Sequence, residues 1–236
     1  MIRFVGTAHH GKETLLYFTQ RKSGYICFAL TRSRDGFKFE DTFEYVGVRD
    51  DKKRTENDFH WQGLRIAKQK EKYFLTYRQK GKKSSPLTGA LSDDLVRWEK
   101  TGKIADVKET GAVVPDYKHR DHYVMYYGDK EIKIAYSAYL YHWKTQKNPV
   151  LLKPRKHAFD SGPLEVGNAY VVDEHILLLY YTRRERDGKT LYAVGGAIFD
   201  KQDPTELLWR SDEPLFEQPG RTRRRIDTAA WLSYFT

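Results

Sequence analysis

The sequence predicts an all-β fold, a five-bladed β-propeller in which four blades are clear and the fifth is partial or atypical. Two observations support this: a serine followed six residues later by an aromatic recurs along the chain, and a tyrosine-rich apolar run precedes each copy. A period of roughly 45–60 residues is typical of repeat and propeller architectures. The copies are Ser33 to Phe39, Ser92 to Trp98 and Ser137 to Trp143, with a looser fourth from Asp200 to Trp209.

Each repeat is predicted to contain short strands joined by tight turns. The tyrosine-rich runs are predicted strands, and polar turns such as 183–189 join them to second apolar runs. Asp-Gly and Ser-Gly pairs at these points are hairpin signals. No long segment has a helical period, so strands without helices favour a propeller over a doubly wound sheet. The tyrosine-rich runs are 15–20, 73–79, 123–128 and 176–182.

The inner strand of a blade is expected before three of the tyrosine-rich runs, at 60–68, 110–118 and 161–173. Pro115 and Pro163 should mark bulges or strand ends, because proline cannot donate to a sheet ladder. The final segment, 214–236, is expected to open a fifth blade.

Composition indicates one domain, residues 1–236, since roughly 200–250 residues is ordinary for a single all-β domain. The net charge of +10 is dispersed except at 221–225, so solvated faces explain it better than nucleic-acid binding. Apolar runs are too short to span a membrane. A single cysteine, Cys27, excludes an internal disulfide and fits a reducing compartment, so we expect a cytoplasmic protein.

Several of these segments together resemble the five-bladed propeller glycosidases, above all glycoside hydrolase family 130, the β-mannoside phosphorylases and related hydrolases. The most specific part is GGAIFDKQDPTELLWRSDEPLFEQPG at 195–220, which is similar to the family pattern of a Gly-Ala strand, Asp-x-x-Asp-Pro, Arg-Ser and Glu-Pro-Leu. The resemblance covers about residues 10–220. It implies a sugar-binding funnel at the propeller axis, a carboxylic acid as proton donor and basic residues that hold inorganic phosphate.

The sequence departs from the family pattern at the expected acids. Gln62-Gly63-Leu64-Arg65 stands where the family has Glu-Asp-Pro-Arg, so only the arginine is kept. Thr110-Gly111 stands where a Lys-Asp is usual, and the expected histidine falls near Tyr181-Thr182.

Two carboxylates are candidates for catalysis, because glycoside cleavage needs a proton donor and usually a second carboxylate. Glu165 lies in an apolar, glycine-flanked inner strand, where a lone charge is costly unless it is used. The alternative is a rim glutamate paired with an arginine. Asp58 precedes the second inner strand and could replace the missing acid, whereas the simpler interpretation is a solvated loop residue.

Candidates for substrate binding surround these acids. Arg65 could hold an anion or a sugar through its planar fork, or form a structural ion pair. Asp160, in a Phe-Asp-Ser-Gly sequence that resembles the family's Trp-Asp-Ser, could contact sugar hydroxyls or cap a turn. His60 and Trp61 could line a sugar site or pack between blades. Asp116, just after Pro115, is a weaker candidate because it could equally be a turn residue.

The predicted function is therefore cleavage of a β-mannoside or related glycoside at the propeller axis, by phosphorolysis or hydrolysis. The alternative is a catalytically inactive propeller that binds glycans or proteins, since a fold alone does not imply activity. No cofactor or metal site is expected, because the nucleotide-binding and metal-ligand motifs are missing from the sequence. Inorganic phosphate is the expected co-substrate if the reaction is phosphorolysis.

Overall fold

The computed structural model describes residues 2–22, 25–49, 52, 55–56, 59–79, 86–105, 110–145, 149–186 and 188–219. Within these ranges every regular element is a β-strand, which confirms the all-β prediction. No helix in the described ranges is both long and apolar enough to cross a membrane. The described residues fall into two compact units, one up to residue 105 and the other from residue 110.

The first unit contains two antiparallel groups of four strands. The strands are β1 (Ile2–His10), β2 (Glu13–Lys22), β3 (Tyr25–Ser33), β4 (Glu44–Arg49), β5 (Thr55–Glu56), β6 (Phe59–Gln69), β7 (Lys72–Gln79), β8 (Leu87–Ser92) and β9 (Arg97–Ala105). One group runs β1-β2-β3-β4 and the other β6-β7-β8-β9, with β5 paired to β4. A parallel pairing of β4 with β9 links the two groups edge to edge, and the groups are called the first and second sheets.

The second unit contains two further antiparallel sheets. The strands are β10 (Thr110–His119), β11 (His122–Gly128), β12 (Ile132–Ser137), β13 (Val150–Leu152), β14 (Leu164–Val172), β15 (His175–Arg186), β16 (Lys189–Asp200), β17 (Leu207–Arg210) and β18 (Phe216–Pro219). The third sheet has the order β10-β11-β12-β13, and the fourth has the order β14-β15-β16-β17 with β18 also paired to β16.

The beginning of the expected fifth blade belongs instead to the fourth sheet. Strand β16 is twelve residues long. Strand β17 pairs only with its second half, so Phe216–Pro219 can pair with the first half, at Leu191–Val194. The described part of 214–236 thus does not open a new sheet.

The first strand of every four-stranded group lies at its edge and contains a register shift. The shifts fall in β1, β6, β10 and β14. In β10 the shift lies between Val113 and Lys118 and therefore includes Pro115, as predicted. Pro163 directly precedes β14, which confirms its predicted place at a strand end. A bulge bends the strand and redirects its side chains, so these edge strands can present groups that a regular ladder would bury.

The tyrosine-rich strands explain how each unit holds two sheets together. Tyr17 and Tyr126 are fully buried, each on the second strand of its sheet. The Tyr17 hydroxyl donates to the carbonyl of Leu95 at 2.8 Å, and the Tyr126 hydroxyl donates to that of Pro204 at 2.9 Å. Burial raises the pKa of both hydroxyls. Tyrosine supplies a large apolar ring together with a donor that satisfies a buried turn carbonyl, which accounts for its abundance in these runs.

The repeats of a serine followed six residues later by an aromatic form turns, called corners below. In the first two corners, backbone amides donate hydrogen bonds to the serine hydroxyl and to an aspartate carboxylate. Ser92 accepts from the amide of Leu95 at 2.9 Å, and the Asp94 carboxylate accepts from the amides of Val96 and Arg97 at 2.9 and 2.8 Å. Ser33 and Asp35 repeat the arrangement. Asp35 and Asp94 thus form the hydrogen bonds that hold these two turns.

The third corner has the same backbone but lacks the aspartate. Leu140 has the left-handed φ of 65° that Leu95 also has, and the Trp143 indole donates to its carbonyl at 3.2 Å. Tyr139 occupies the aspartate position and is 78% exposed. The buried Ser137 hydroxyl consequently finds no partner among the described residues.

Replacing Tyr139 with aspartate should stabilise the protein by about 1 kcal/mol, because the new carboxylate can accept from Ser137 and from the following amides. Urea unfolding followed by circular dichroism measures the change. Tyr139→Ser is the control, since it removes the exposed ring without adding an acceptor. Equal stability of the Asp and Ser variants would show that the third corner does not use this hydrogen-bonding pattern.

The second corner should make stability depend on acid pH. Partial burial of Asp94 opposes ionisation, but the amides of Arg97 and Val96 outweigh it and hold the pKa of this carboxyl below its ordinary value. The stabilisation is therefore present above the unfolded-state pKa of about 3.9 and is lost as the pH falls through the lower folded-state value. Asp94→Asn should lose less stability than the wild type between neutral and acid pH in urea titrations. Identical pH dependence of the two proteins would contradict this.

Candidate active site

The predicted basic residue of the second inner strand, Arg65, lies directly after the register shift of β6. Gly63 takes a φ of 104°, a conformation that residues with a side chain rarely adopt. Arg65 is half-buried, and its Nη1 donates to the carbonyl of Leu64 at 2.7 Å. The guanidinium is thus turned towards its own strand at a bulge.

The structure says less about the other candidates on or near β6. Asp58 lies outside the described residues. His60 and Trp61 belong to β6 by their backbone, and their side chains lie outside the description. Their roles stay predictions.

Glu165 is the second residue of β14 and lies opposite Tyr181 of β15. Its neighbours Leu164 and Val166 are completely buried and belong to the hydrophobic core. Because side chains alternate along a strand, Glu165 points to the other face of the sheet, where it is half-buried. Among the described residues, none forms an ion pair with its carboxylate. The arginine partner that the simpler interpretation requires is thus not found in this part of the chain.

Asp160 is a fully buried carboxylate enclosed by two arginines and a tyrosine. One oxygen accepts from Nε of Arg155 at 3.0 Å. The other accepts from the hydroxyl of Tyr180 at 2.7 Å and from Nη2 of Arg210 at 2.6 Å. With no exposed surface, Asp160 has no atom available to a sugar in this arrangement, which supports a structural role over substrate contact.

The same cluster fixes the segment that leads into β14. Arg155 also donates to the carbonyl of Ser211 at 2.6 Å, and Arg210 donates to the carbonyl of Lys153 at 2.9 Å. Asp160 increases the basicity of the Arg155 guanidinium against the opposing effect of burial, so the pKa of Arg155 is raised. For the Tyr180 hydroxyl, in contrast, burial itself raises the pKa. The cluster therefore ties residues 153–160 to the outer strand β17.

Asp116 lies at the other end of the second unit from Glu165. It is exposed within the bulge of β10 and has a left-handed φ of 47°. The start of β14 bonds to the turn after β11, through the Leu164 amide and the Lys130 carbonyl at 3.1 Å. Strand β10 begins at the same end as β14, the end of Glu165, since Thr110 pairs with Gly128 just before that turn. The structure thus separates Asp116 from Glu165 along the length of the strands.

Polar groups that the sequence reasoning missed lie next to the start of β14. Thr182 is only 4% exposed, and its hydroxyl has no partner among the described residues. Arg184, two residues further along β15, pairs with Glu217 of β18 at 2.9 Å, while its buried Nε lacks a described acceptor. Both groups lie on the face of the sheet opposite to Glu165. A polar residue at the end of the tyrosine-rich strand was the one available sequence signal.

A cleft of about 440 Å³ opens beside these residues. It is lined by the turn after β11, including Lys130 and Glu131, and by Ser161, Gly162 and Pro163. Gly162 is required there, since a Cβ atom would lie 1.7 Å from the carbonyl oxygen of Arg183 and 3.5 Å from the Thr182 hydroxyl. The start of β14 therefore carries Glu165 on one face of the sheet and Thr182 and Arg184 on the other, while the three residues before this strand line a cleft.

Comparison with known proteins gives related enzymes. A curated relative, the 1,2-beta-oligomannan phosphorylase of Thermoanaerobacter sp. (strain X514), is 28% identical over 129 residues, which is 54% of this chain and 42% of that protein. The match thus spans less than half the length of this relative.

Solved structures share the fold. A glycosyl hydrolase from Bacteroides ovatus has a TM-score of 0.72 at 24% identity, covering 91% of this chain and 72% of the other. The beta-1,2-mannobiose phosphorylase from Listeria innocua has a TM-score of 0.69 at 17% identity, covering 91% and 77%.

A family profile also matches most of the chain. The profile of glycoside hydrolase family 130, described as beta-1,4-mannooligosaccharide phosphorylase, matches residues 9–222. This range includes the edge strands β6, β10 and β14 and the last two residues of β1. It also includes the cluster around Asp160. The resemblance noted from the sequence is thereby confirmed, and the chain belongs to glycoside hydrolase family 130.

Proposed function

We propose that this protein cleaves a β-mannoside or a related glycoside, by phosphorolysis or hydrolysis, at the start of β14. The observation that carries the proposal is Glu165, a half-buried carboxylate on an edge strand, two residues after the cleft-lining Pro163, with no ion-pair partner among the described residues. Family membership and the phosphorylase relative support the substrate class.

In the proposed reaction, Glu165 donates its proton to the oxygen that leaves with the second sugar. The bond between that oxygen and the anomeric carbon breaks as a nucleophile attacks the carbon. The leaving group is released as the shortened glycoside in either case; the other product is a sugar 1-phosphate if the nucleophile is inorganic phosphate and a free sugar if it is water. Inverting cleavage by water would also need a second carboxylate as base. Asp58 is our candidate for that role.

We further propose that Arg65, His60 and Trp61 contact the substrate, and that the four sheets are blades of a five-bladed propeller formed by one domain. The half-buried position of Arg65 at a bulge supports its role. A cytoplasmic location is proposed from the single cysteine. Asp160 and Asp116 are weaker candidates for substrate contact, because Asp160 is enclosed and Asp116 lies at the other end of the strands.

A non-catalytic glycan-binding protein is the second candidate. One observation favours it: Gln62 and Gly63 stand where the family carries acids. The two functions differ in a screen of β-linked mannobioses, each incubated with and without inorganic phosphate, with released mannose and mannose 1-phosphate measured separately. Product formation that requires phosphate establishes phosphorolysis, and product without phosphate establishes hydrolysis. Saturable binding of a mannobiose without any product would reject the enzyme and support the binding protein.

A further inference from the structure

A second cleft lies at the opposite end of the second unit from Glu165. Its volume is about 470 Å³, and it is formed by the end of β10, the β10–β11 turn and the turn after β16. Tyr117 forms one wall and is fixed there, because its hydroxyl donates to the carbonyl of Lys201 at 2.5 Å. Burial raises the pKa of this hydroxyl to about 12, so it stays a neutral donor.

Positive charge exceeds negative charge around this cleft. Lys118, Arg120 and Lys201 line it, together with His119, while Asp116 is the carboxylate that lines it. The ammonium group of Lys201 is already occupied, with the carbonyl of Asp173 at 2.9 Å and a carboxylate oxygen of Glu174 at 3.5 Å. Lys118 keeps its charge exposed, with its ammonium group 4.3 Å from the centre of the Tyr123 ring.

Asp203, a carboxylate that Arg120 and His119 influence electrostatically, already has other partners. Asp203 accepts from the hydroxyl and the amide of Thr205 at 2.6 and 3.0 Å. These bonds, and then the positive charges of His119 and Arg120, lower the pKa of Asp203. Arg120 lines the cleft, and its guanidinium forms no ion pair with a carboxylate among the described residues.

The backbone holds these basic residues in a defined position. Asp116, Arg120 and Asp121 have left-handed φ values of 47°, 46° and 62°, although none is glycine. Arg120 and Asp121 are the two residues of the β10–β11 hairpin turn, and a positive φ at both positions is the pattern of a type I′ turn. The Tyr117 hydrogen bond and the packing of the His119 ring, 6.3 Å from the Tyr136 ring, fix the end of the strand that precedes this turn.

We propose that this cleft binds a small tetrahedral oxyanion, phosphate or a phosphate monoester, through Arg120, Lys118 and His119. A planar guanidinium that donates two parallel hydrogen bonds suits phosphate oxygens, and neighbouring ammonium groups add charge. The site is separate from the proposed active site: Asp173, whose carbonyl accepts from Lys201, directly follows β14 and lies eight residues after Glu165, or about 25 Å along an extended strand. The inference does not depend on the proposed enzymatic function.

The test follows hydrogen exchange of the full protein with and without millimolar inorganic phosphate. Phosphate should protect peptides that cover 115–122, and Arg120→Gln should weaken this binding by about tenfold or more, since charge-assisted hydrogen bonds are the strong ones. The control is Arg34→Gln, which changes another exposed arginine in the first unit. Peptides around 160–166 report separately on phosphate at the proposed active site.

Three further outcomes are decisive. If phenyl phosphate binds more tightly than inorganic phosphate, the proposal holds and the natural ligand is a phosphorylated molecule; the reverse order identifies free phosphate. Equal protection by chloride at the same ionic strength would overturn the proposal, because screening would explain it. Unchanged phosphate affinity in Arg120→Gln, with an unchanged unfolding midpoint, would also overturn it.

Discussion

Replacing Glu165 with glutamine should lower kcat by about a hundredfold to ten-thousandfold while the unfolding midpoint stays unchanged. Glutamine keeps the size and polarity of the side chain but has no proton to give to the leaving oxygen, and positioned proton transfer contributes about this factor. The half-buried side chain forms no ion pair within the described part of the chain, so its replacement should leave little structural damage. The measurement is steady-state cleavage of the best substrate from the mannobiose screen.

The leaving group of the substrate separates this role from a merely structural one. A phenol with a good leaving oxygen needs little proton donation, so Glu165→Gln should lose much less activity on an activated aryl mannoside than on a mannobiose. The matched control is Glu213→Gln, an exposed glutamate in the same unit. If both variants retain wild-type kcat, Glu165 is not the proton donor, although another residue could still make the protein an enzyme.

The strand pattern of this protein could be predicted from sequence because local physics determines it. The inner strands predicted at 60–68 and 110–118 agree with β6 and β10 to within one residue at each end. Alternating burial, turn residues and strand-breaking prolines are all local signals. The repeated corners were predictable for the same reason, since the side chains of Ser92 and Asp94 bond to each other and to the amides of residues 94–97.

Interactions between distant residues could not be predicted in the same way. The Phe216–Pro219 strand has the composition of a new blade, and only the length of β16 allows it to join the fourth sheet. The partners of Asp160 include Arg155, five residues away, and Arg210, fifty residues away. Nothing in a Lys-Pro-Arg-Lys sequence distinguishes a buried ion-pair partner from a solvated basic residue.

Some residues of the candidate site could be predicted from local sequence, and others could be found only from the structure. Glu165 could be proposed from sequence because a carboxylate between apolar and glycine residues is unusual, whereas Thr182 and Arg184 stand out only through buried atoms without described partners. Asp160 resembled a family motif, but its environment makes it part of the scaffold. A motif can thus identify an important carboxylate without distinguishing contact with substrate from support of the segment that carries the site.

Asp160→Asn should destabilise the protein by about 3–5 kcal/mol, the typical cost of removing one partner from a buried ion pair. The substitution keeps the shape of the side chain but leaves Arg210, which is 10% exposed, beside a neutral group. Tyr180 would also lose its charged acceptor. Urea unfolding monitored by tryptophan fluorescence measures the loss. If Asp160→Asn does not fold, Arg155→Lys tests the cluster more gently, because it removes the bond from Nε and keeps the charge.

The chain offers a matched control on the same arginine. Asp212 pairs with Nη1 of Arg155 at 3.3 Å but is 94% exposed, so Asp212→Asn should cost no more than about 1 kcal/mol. Similar losses for the two variants would show that the buried cluster is not the stabilising element. A substrate-binding role would instead raise KM in Asp160→Asn at unchanged stability. A large loss of stability for Asp160→Asn alone would establish that this carboxylate holds residues 153–160 against β17, and so positions the segment that leads to Glu165.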